Sequence, residues 1–543
     1  MRVQRSRQQR RRHTSVVAAG AVVLVAAGAG VAYLELPRTQ LSASERGLAR
    51  IDHHGVAERL LAVHVSIAGH RVPVRVVDNR ILPRVAIAQG SVIDVEATLR
   101  TPPWLRWLLG PTTTTRTSLV APTTRLLDPV VITSKGSVTS YFSTPVSVVR
   151  ITTPAGEQTI RLARPARKLT LISPSSQLSA GVVDVAAAPA PWEEPATPST
   201  LTFFRTSTTS PIAIVSPGTT GLTPTSSVTV TLSQPVAKVF GNANPTIEPT
   251  VQGADPVEGT WSRPTPYSLV FTPTTPDFWP GESFTLHLPT PVQVAGANGS
   301  LGPTTNSLPL TGATPSILRL QELLAQLGYL PLRFTPSSPV PSSLDAQAAA
   351  TINPPSGTFS WSWSMPSPLE SLWQQGAYTV ITQGAVMAFE HAQGLDDNGL
   401  ANPLLWPTLI HDALTHTLDP HPYSYILVSK ARPETLWLYV NGQVVLTSPV
   451  NTGIPGLNTP VGTWPIYLRY VENYMSGTNP NGTPYHDLVH WINYFNGSVA
   501  VHGFPRAAYG FPQSLGCVEL PVATAGVLYP QVHIGTLVTV LPS

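Results

Sequence analysis

Apolar and polar residues alternate in short runs along most of the chain. Val63, Val65 and Ile67 alternate up to Gly69, and Val72, Val74 and Val76 resume the pattern, which predicts a hairpin. Ile93, Val95, Ala97 and Leu99 predict a further strand. Residues 36–200 thus read as a β-rich spacer domain, closed by a Pro- and Ala-rich linker over 186–200. The apolar cluster of Trp104, Leu105, Trp107, Leu108 and Leu109 is expected in a core rather than on a membrane. Val228, Val230 and Leu232 alternate, as do Phe284, Leu286 and Leu288 after a Pro280-Gly281 turn. Short strands with such punctuation predict a small β-sandwich over 211–297.

The period changes over 313–415. Ile317, Leu320, Leu324 and Leu327 fall on one helix face, with Gly328 as a C-cap. A second helix is expected near 384–393, with Val386 and Phe389 inward, and a third after Asn402-Pro403. An insertion at 336–379 interrupts this three-helix unit. Within it Phe359, Trp361 and Trp363 share one face, and are read as core, with stacking on sugar rings as the alternative. Asp396-Asp397-Asn398-Gly399 lacks the full ligand series of a calcium loop and reads as a turn. Alternation returns with Ile426 and Val428, then Leu436, Leu438 and Val440, and an Asn441-Gly442 hairpin turn.

Composition adds the frame. The chain has 543 residues, 42% hydrophobic and only 11% charged, with 57 Pro and 39 Gly. This suits several β domains and excludes a coiled coil or a wholly disordered chain. The net charge of +4 rests on Arg2, Arg5, Arg7, Arg10, Arg11 and Arg12, without which the rest is net negative. No basic face with interleaved aromatics is found, so nucleic acid is not an expected partner. After the basic tail (1–13), Ser15 to Leu34 carries no charge, which predicts a transmembrane signal-anchor over 14–35 with the bulk exported. A cleaved signal peptide, with Ala27, Ala29 and Ala32 near its end, is the alternative, and it too exports the chain.

Cys517 is the single cysteine, so no intrachain disulfide forms. It stands in Gln513-Ser514-Leu515-Gly516-Cys517-Val518-Glu519-Leu520, after Val501-His502-Gly503-Phe504. A thiol attacks as thiolate, and a nearby imidazole can take its proton. A glycine before the cysteine lets backbone N–H groups approach an oxyanion. His486, Asp487 and His490 match no metalloprotease spacing, so no metal or cofactor is expected, and they read as lid or substrate-contact residues.

These motifs, with Thr459-Pro460-Val461-Gly462-Thr463 and Trp491 to Gly497 before them, resemble the L,D-transpeptidase (YkuD-type) catalytic domain over 422–543. The resemblance implies a β-sandwich-like fold with a flexible lid, at 472–487 here. It implies Cys517 as the acyl-accepting nucleophile and His502 as its base. The Gly503 carbonyl would orient His502, Gly516 and Cys517 N–H groups would form the oxyanion hole, and Ser514 would support the loop. Tyr474, Trp491, Arg506 and Glu519 are the expected substrate contacts. Two positions depart from the family pattern: Leu515 replaces the usual His, and Glu519 the usual Arg or Asn. Arg506 is a candidate partner for Glu519. The helical stretch resembles the peptidoglycan-binding domain, and 211–297 loosely resembles bacterial Ig-like domains.

The fold class expected is therefore multidomain and mainly β. It comprises an N-terminal transmembrane helix, two β-sandwich-like domains, a small three-helix domain and the catalytic domain. The implied partners are peptidoglycan stem peptides and glycan, with the plasma membrane at the N-terminus. The implied activity is 3→3 cross-linking through a cysteine thioester, and carbapenems acylate this family's nucleophile. An L,D-carboxypeptidase, or a wall-binding structural protein with a dead catalytic domain, are the alternatives.

Overall fold

The computed structural model describes residues 38–543 except 45, 55–58, 104–105, 134–135, 154–155, 173–178, 206–209, 252–254 and 297–298. The expected anchor over 14–35 lies outside the described residues. Among the described residues no helix is long and apolar enough to cross a membrane.

The alternation in the N-terminal part builds two cores where one domain was expected. Arg59–Ile67 pairs antiparallel with Val92–Arg100, placing Val65 opposite Val95 and Ile67 opposite Ile93. This four-stranded sheet and a second one, which includes Ala49–His54 and Arg80–Pro83, bury Ile51, Val65, Ile81 and Ile93. A separate five-stranded sheet has its own core of Phe142, Val149, Ile151 and Phe203. The linker expected over 186–200 begins and ends in that sheet, with 189–198 as the connection between the two strands. Ala180–Ala188 and Ser199–Arg205 are strands, and Ala186, Ala187 and Ala188 are buried. Small side chains let the backbone pass through a packed interior, so the Ala-rich composition marks close packing rather than a spacer. Trp107, expected in a core, is 83% exposed.

The next unit is a seven-stranded sheet around Val230, Phe271, Phe278 and Phe284. It extends past 297, because Leu301–Thr311 pairs along Ser283–Ala295.

Helix α1 (Ile317–Leu327) is capped by Ser316, whose hydroxyl accepts the Arg319 N–H at 3.3 Å, and ends at Gly328 with φ +92°. Helices α2 (Val380–Ala392) and α3 (Leu405–Thr415) complete the bundle. The insertion forms a hairpin, Leu332–Pro336 with Gly357–Trp361, whose Phe359, Trp361 and Trp363 pack half-buried on the bundle core. The turn at 396–399 is closed by Asn398 on Asp396 and by the Gly399 N–H on Glu390.

The C-terminal unit has two sheets. One runs β3 (Gln443–Pro449), β2 (Thr435–Val440), β1 (Ser424–Ser429), β9 (Leu537–Leu541) and β4 (Gly462–Pro465). The other runs β5 (Leu468–Thr478), β6 (Pro484–Asn496), β7 (Val499–Gly503) and β8 (Val518–Leu520). Between them lie Val428, Leu438, Phe495, Val501, Val518 and Val538, and helix α4 (Val522–Leu528) closes one end through Ala525 and Leu528.

The bundle and this domain are not beads on a string. Tyr425, Leu427 and Leu537 belong to the same apolar core as Leu320, Phe389 and Trp406. Helix α2 touches the domain backbone to backbone: a Cβ on Gly384 would lie 2.6 Å from the Gly535 carbonyl oxygen. Trp363 closes the other side, where a Cβ on Gly442 would fall 2.4 Å from its own Cβ.

Candidate active site

Strands β7 and β8 run parallel, with Val501 opposite Val518 and His502 opposite Glu519. Side chains alternate across a sheet. Val501 and Val518 therefore point into the core, while His502, Glu519 and the preceding Cys517 share the other face. There Cys517 packs in a small apolar cluster with Val489, Ile492, Ala500 and Phe504, beneath the β5–β6 hairpin.

The turn before Cys517 is fixed by side-chain hydroxyls. Ser514 Oγ donates to the Cys517 carbonyl at 2.6 Å and accepts the Gly516 N–H at 3.1 Å. Thr459 Oγ1 donates to the Gly516 carbonyl at 2.8 Å and accepts the Gly453 N–H at 2.9 Å. Gly516 sits at φ +129°, a conformation that side chains rarely adopt. The Gly516 N–H is thus committed to Ser514 and is not free for an oxyanion. This does not fit the expected two-donor hole, of which the Cys517 N–H would be the other member.

His502 is almost fully buried. Its Nδ1 lies 3.3 Å from the Gly503 carbonyl oxygen. Nδ1–H donating there leaves Nε2 as the base. Burial lowers the His502 pKa, Glu519 and the Gly503 carbonyl push it back up, and Arg506 lowers it. Burial pushes the Cys517 thiol up to about 11, against the Ala500 backbone hydrogen bond, and Glu519 adds to the rise. The thiol donates to the Ser498 carbonyl at 3.7 Å. The resting pair is therefore a neutral thiol and a neutral imidazole.

Arg506 grips Glu519 with two bonds of 2.8 Å, from Nε and Nη2. Glu519 is nearly buried, so the pair keeps its charge off the open site. The Arg506 guanidinium also lies 4.7 Å over the Phe504 ring. Tyr474 is exposed on the hairpin and stacks on His486 at 4.4 Å. Glu472 meets His490 at 3.7 Å on the same hairpin.

Trp491 does not reach the site. A bulge between His490 and Asn493 holds it at φ +60°, and its ring turns to Tyr529, 5.4 Å away, and to Gly526. Alternation is broken there, which sequence spacing does not reveal. Sequence reading also missed Glu434, a buried carboxylate that accepts the Thr452 N–H and hydroxyl, each at 2.7 Å. It anchors the loop whose Asn451 backbone pairs with Glu519. Glu434 ends the polar stretch Lys430-Ala431-Arg432-Pro433-Glu434 just before β2, so nothing in the sequence set it apart from a surface turn residue.

A buried imidazole and a thiol thus share one face of adjacent strands, an arrangement chemically suited to acyl transfer through sulfur. Residues 423–540 match the family model of the L,D-transpeptidase catalytic domain, YkuD. Among solved structures, a serine variant of the Enterococcus faecium L,D-transpeptidase is 26% identical, over 23% of this chain and 52% of its own, with a TM-score of 0.21. This chain thus spans about half the length of that relative. The catalytic domain of an E. faecium L,D-transpeptidase acylated by ertapenem is 28% identical over 22% of this chain and 98% of its own, TM-score 0.21. The L,D-transpeptidase from Mycobacterium smegmatis is 15% identical over 61% of this chain and 99% of its own, TM-score 0.21. No curated protein matches the chain.

Proposed function

We propose that this chain is an exported, membrane-anchored L,D-transpeptidase that cross-links peptidoglycan stem peptides. The observation that carries the reading is the placement of Cys517 and a neutral, carbonyl-held His502 on one face of β7 and β8. His502 Nε2 takes the thiol proton as sulfur attacks the carbonyl of the L-centre that bears a terminal D-Ala. The C–N bond breaks, the proton passes to the leaving D-Ala amine, and a thioester remains on Cys517. An amine of a second stem then attacks the thioester, gives its proton to His502, and releases the thiol with a 3→3 cross-link. Water as acceptor makes the same site an L,D-carboxypeptidase. The Cys517 N–H would hold the oxyanion in both steps.

The β units would act as spacers that carry the site into the wall, and the helical unit would contact peptidoglycan. The dead-domain reading drew on Leu515, on Glu519 and on the large non-catalytic share of the chain, and of these the Glu519 charge is paired by Arg506. Mass spectrometry of muropeptides after incubation with the purified protein tests the proposal. Cross-linked dimers are expected with wild type and absent with Cys517→Ala. Unchanged muropeptides with folded wild type would refute it.

A further inference from the structure

A second polar centre lies away from Cys517, at the seam between α2 and the catalytic domain. A cavity of about 110 Å³ is bounded by α2, the 419–424 connector, Arg469 at the start of β5 and the 533–537 segment. Arg469, His391, His421 and His533 all line it. His421 and His533 stack face to face, with ring centroids 3.6 Å apart.

Arg469 is the unusual member. It is substantially buried, and burial lowers its pKa. Its Nε donates to Asn493 Oδ1 at 2.9 Å, its Nη2 to the Tyr529 carbonyl, and its guanidinium lies 4.0 Å from the centre of the Tyr529 ring. All three are neutral partners, and among the described residues no carboxylate comes within ion-pair distance of it. A buried cation without a counter-charge is costly. The carboxylates nearby have their own partners: Asp397 meets His391 at 2.8 Å, and Asp419, which also lines the cavity, accepts the His421 backbone N–H at 2.9 Å. His533 is pushed down to about 4, first by burial and then by His421, Arg469 and His391, which line the cavity with it. Among the described residues no three His, Cys, Asp or Glu side chains converge as a metal site.

We propose that this cavity is a binding site for a small oxyanion, a carboxylate or phosphate group, held by Arg469 and His533. The anion supplies the charge that Arg469 lacks, and it favours protonated His533. The cavity is sized for the anionic head, with the rest of its molecule outside. Occupancy would bear on the site through Asn493, which Arg469 holds and whose Nδ2 donates to the Val501 carbonyl beside His502.

Calorimetric titration of the full-length protein with inorganic phosphate and, separately, with acetate tests this. One-to-one binding is expected, tightening as pH falls from 7 to 5, because the bound anion lifts His533 from about 4 and proton uptake accompanies binding. Around His533 the charged and titratable groups are Arg469 from β5, His421 and Asp419 from the connector, and His391 from α2. Arg469→Gln and His533→Gln should each weaken binding at least about tenfold, the worth of one charge-assisted contact. Arg469→Lys should retain part of it. Tighter phosphate than acetate points to a phosphate-bearing polymer as source, and the reverse to a peptide carboxylate. Should Arg469→Gln fail to fold, His533→Gln alone decides. Affinity unchanged in the folded variants, or no saturable binding by wild type, overturns the proposal. Neither outcome touches acylation of Cys517, which is read separately.

Discussion

The resting charges of Cys517 and His502 make a kinetic prediction that separates a working site from a buried, inert thiol. With the thiol pushed up to about 11, the thiolate fraction at pH 7 is about 10⁻⁴. Attack at neutral pH therefore depends on proton removal during the step, and the neutral imidazole of His502 is the group placed to do it. A positioned general base contributes about 10²–10⁴-fold, the same order as the deficit that the raised thiol creates. Acylation by a carbapenem should then be nearly flat from neutral pH to about pH 9. It should fall only as pH drops through the His502 pKa, which burial places below 6.5. In His502→Ala the rate at pH 7 should fall by about 10²–10⁴ and then climb about tenfold per pH unit as free thiolate accumulates. Time-resolved intact mass between pH 5 and 10 reads both profiles, with one adduct per chain and none in Cys517→Ala. A wild-type rate that climbs tenfold per unit through pH 7–9, or a His502→Ala variant as fast as wild type at pH 7, would refute the base assignment.

Four further outcomes are expected. Glu519→Gln removes the carboxylate that holds up the His502 pKa, so the acid limb of the same profile should move to lower pH and the neutral rate should fall about tenfold. Arg506→Gln should move that limb the other way. Gly535→Ala should cost about 2 kcal/mol or more in urea unfolding, because φ is +88° and the new Cβ would lie 2.2 Å from the Gly384 carbonyl oxygen. Deleting 313–415 should lower the melting temperature of the catalytic domain and expose hydrophobic surface to a dye. Tyr425, Leu427 and Leu537 would lose their cover, and a buried side chain of that size contributes about 1.5–3 kcal/mol.

What was legible in the sequence was local. Asn441-Gly442 does close β2 onto β3, with Val440 opposite Gln443. The periodicity of Leu320, Leu324 and Leu327 does mark the buried face of α1. Both signals act over a few residues, where chain geometry alone fixes the outcome. The candidate pair came from a different source: the His-Gly and Ser-x-Gly-Cys motifs resemble those of the L,D-transpeptidase catalytic domain. Trp491 was misplaced because one bulge reverses which face a strand residue takes, and bulges leave no mark in alternation.

The larger gap concerned what each face packs against. A period of 3.6 shows that α2 has an inner face, but not that Gly384 meets Gly535 across a sheet edge, nor that Tyr425 and Phe389 share a core. Arg506 and Glu519, read both as substrate contacts and as a candidate pair, do form one ion pair, which sequence alone could not fix. Each is conspicuous alone, and only their distance of 2.8 Å makes the charge unavailable to substrate. That pairing bears on the chemistry. Glu519 faces His502 in register, so a residue that breaks the family pattern sits where a carboxylate stabilises an imidazolium. Arg506 offsets that field without cancelling it, since Glu519 outweighs it at His502. With the thiol raised by burial, the proton must go to His502 rather than to solvent, and a carboxylate beside the imidazole is what makes that transfer less costly. The departure at 519 and the high thiol pKa are thus compatible parts of the proposed site, in which the His502–Glu519–Arg506 row would set how readily the Cys517 proton is taken up.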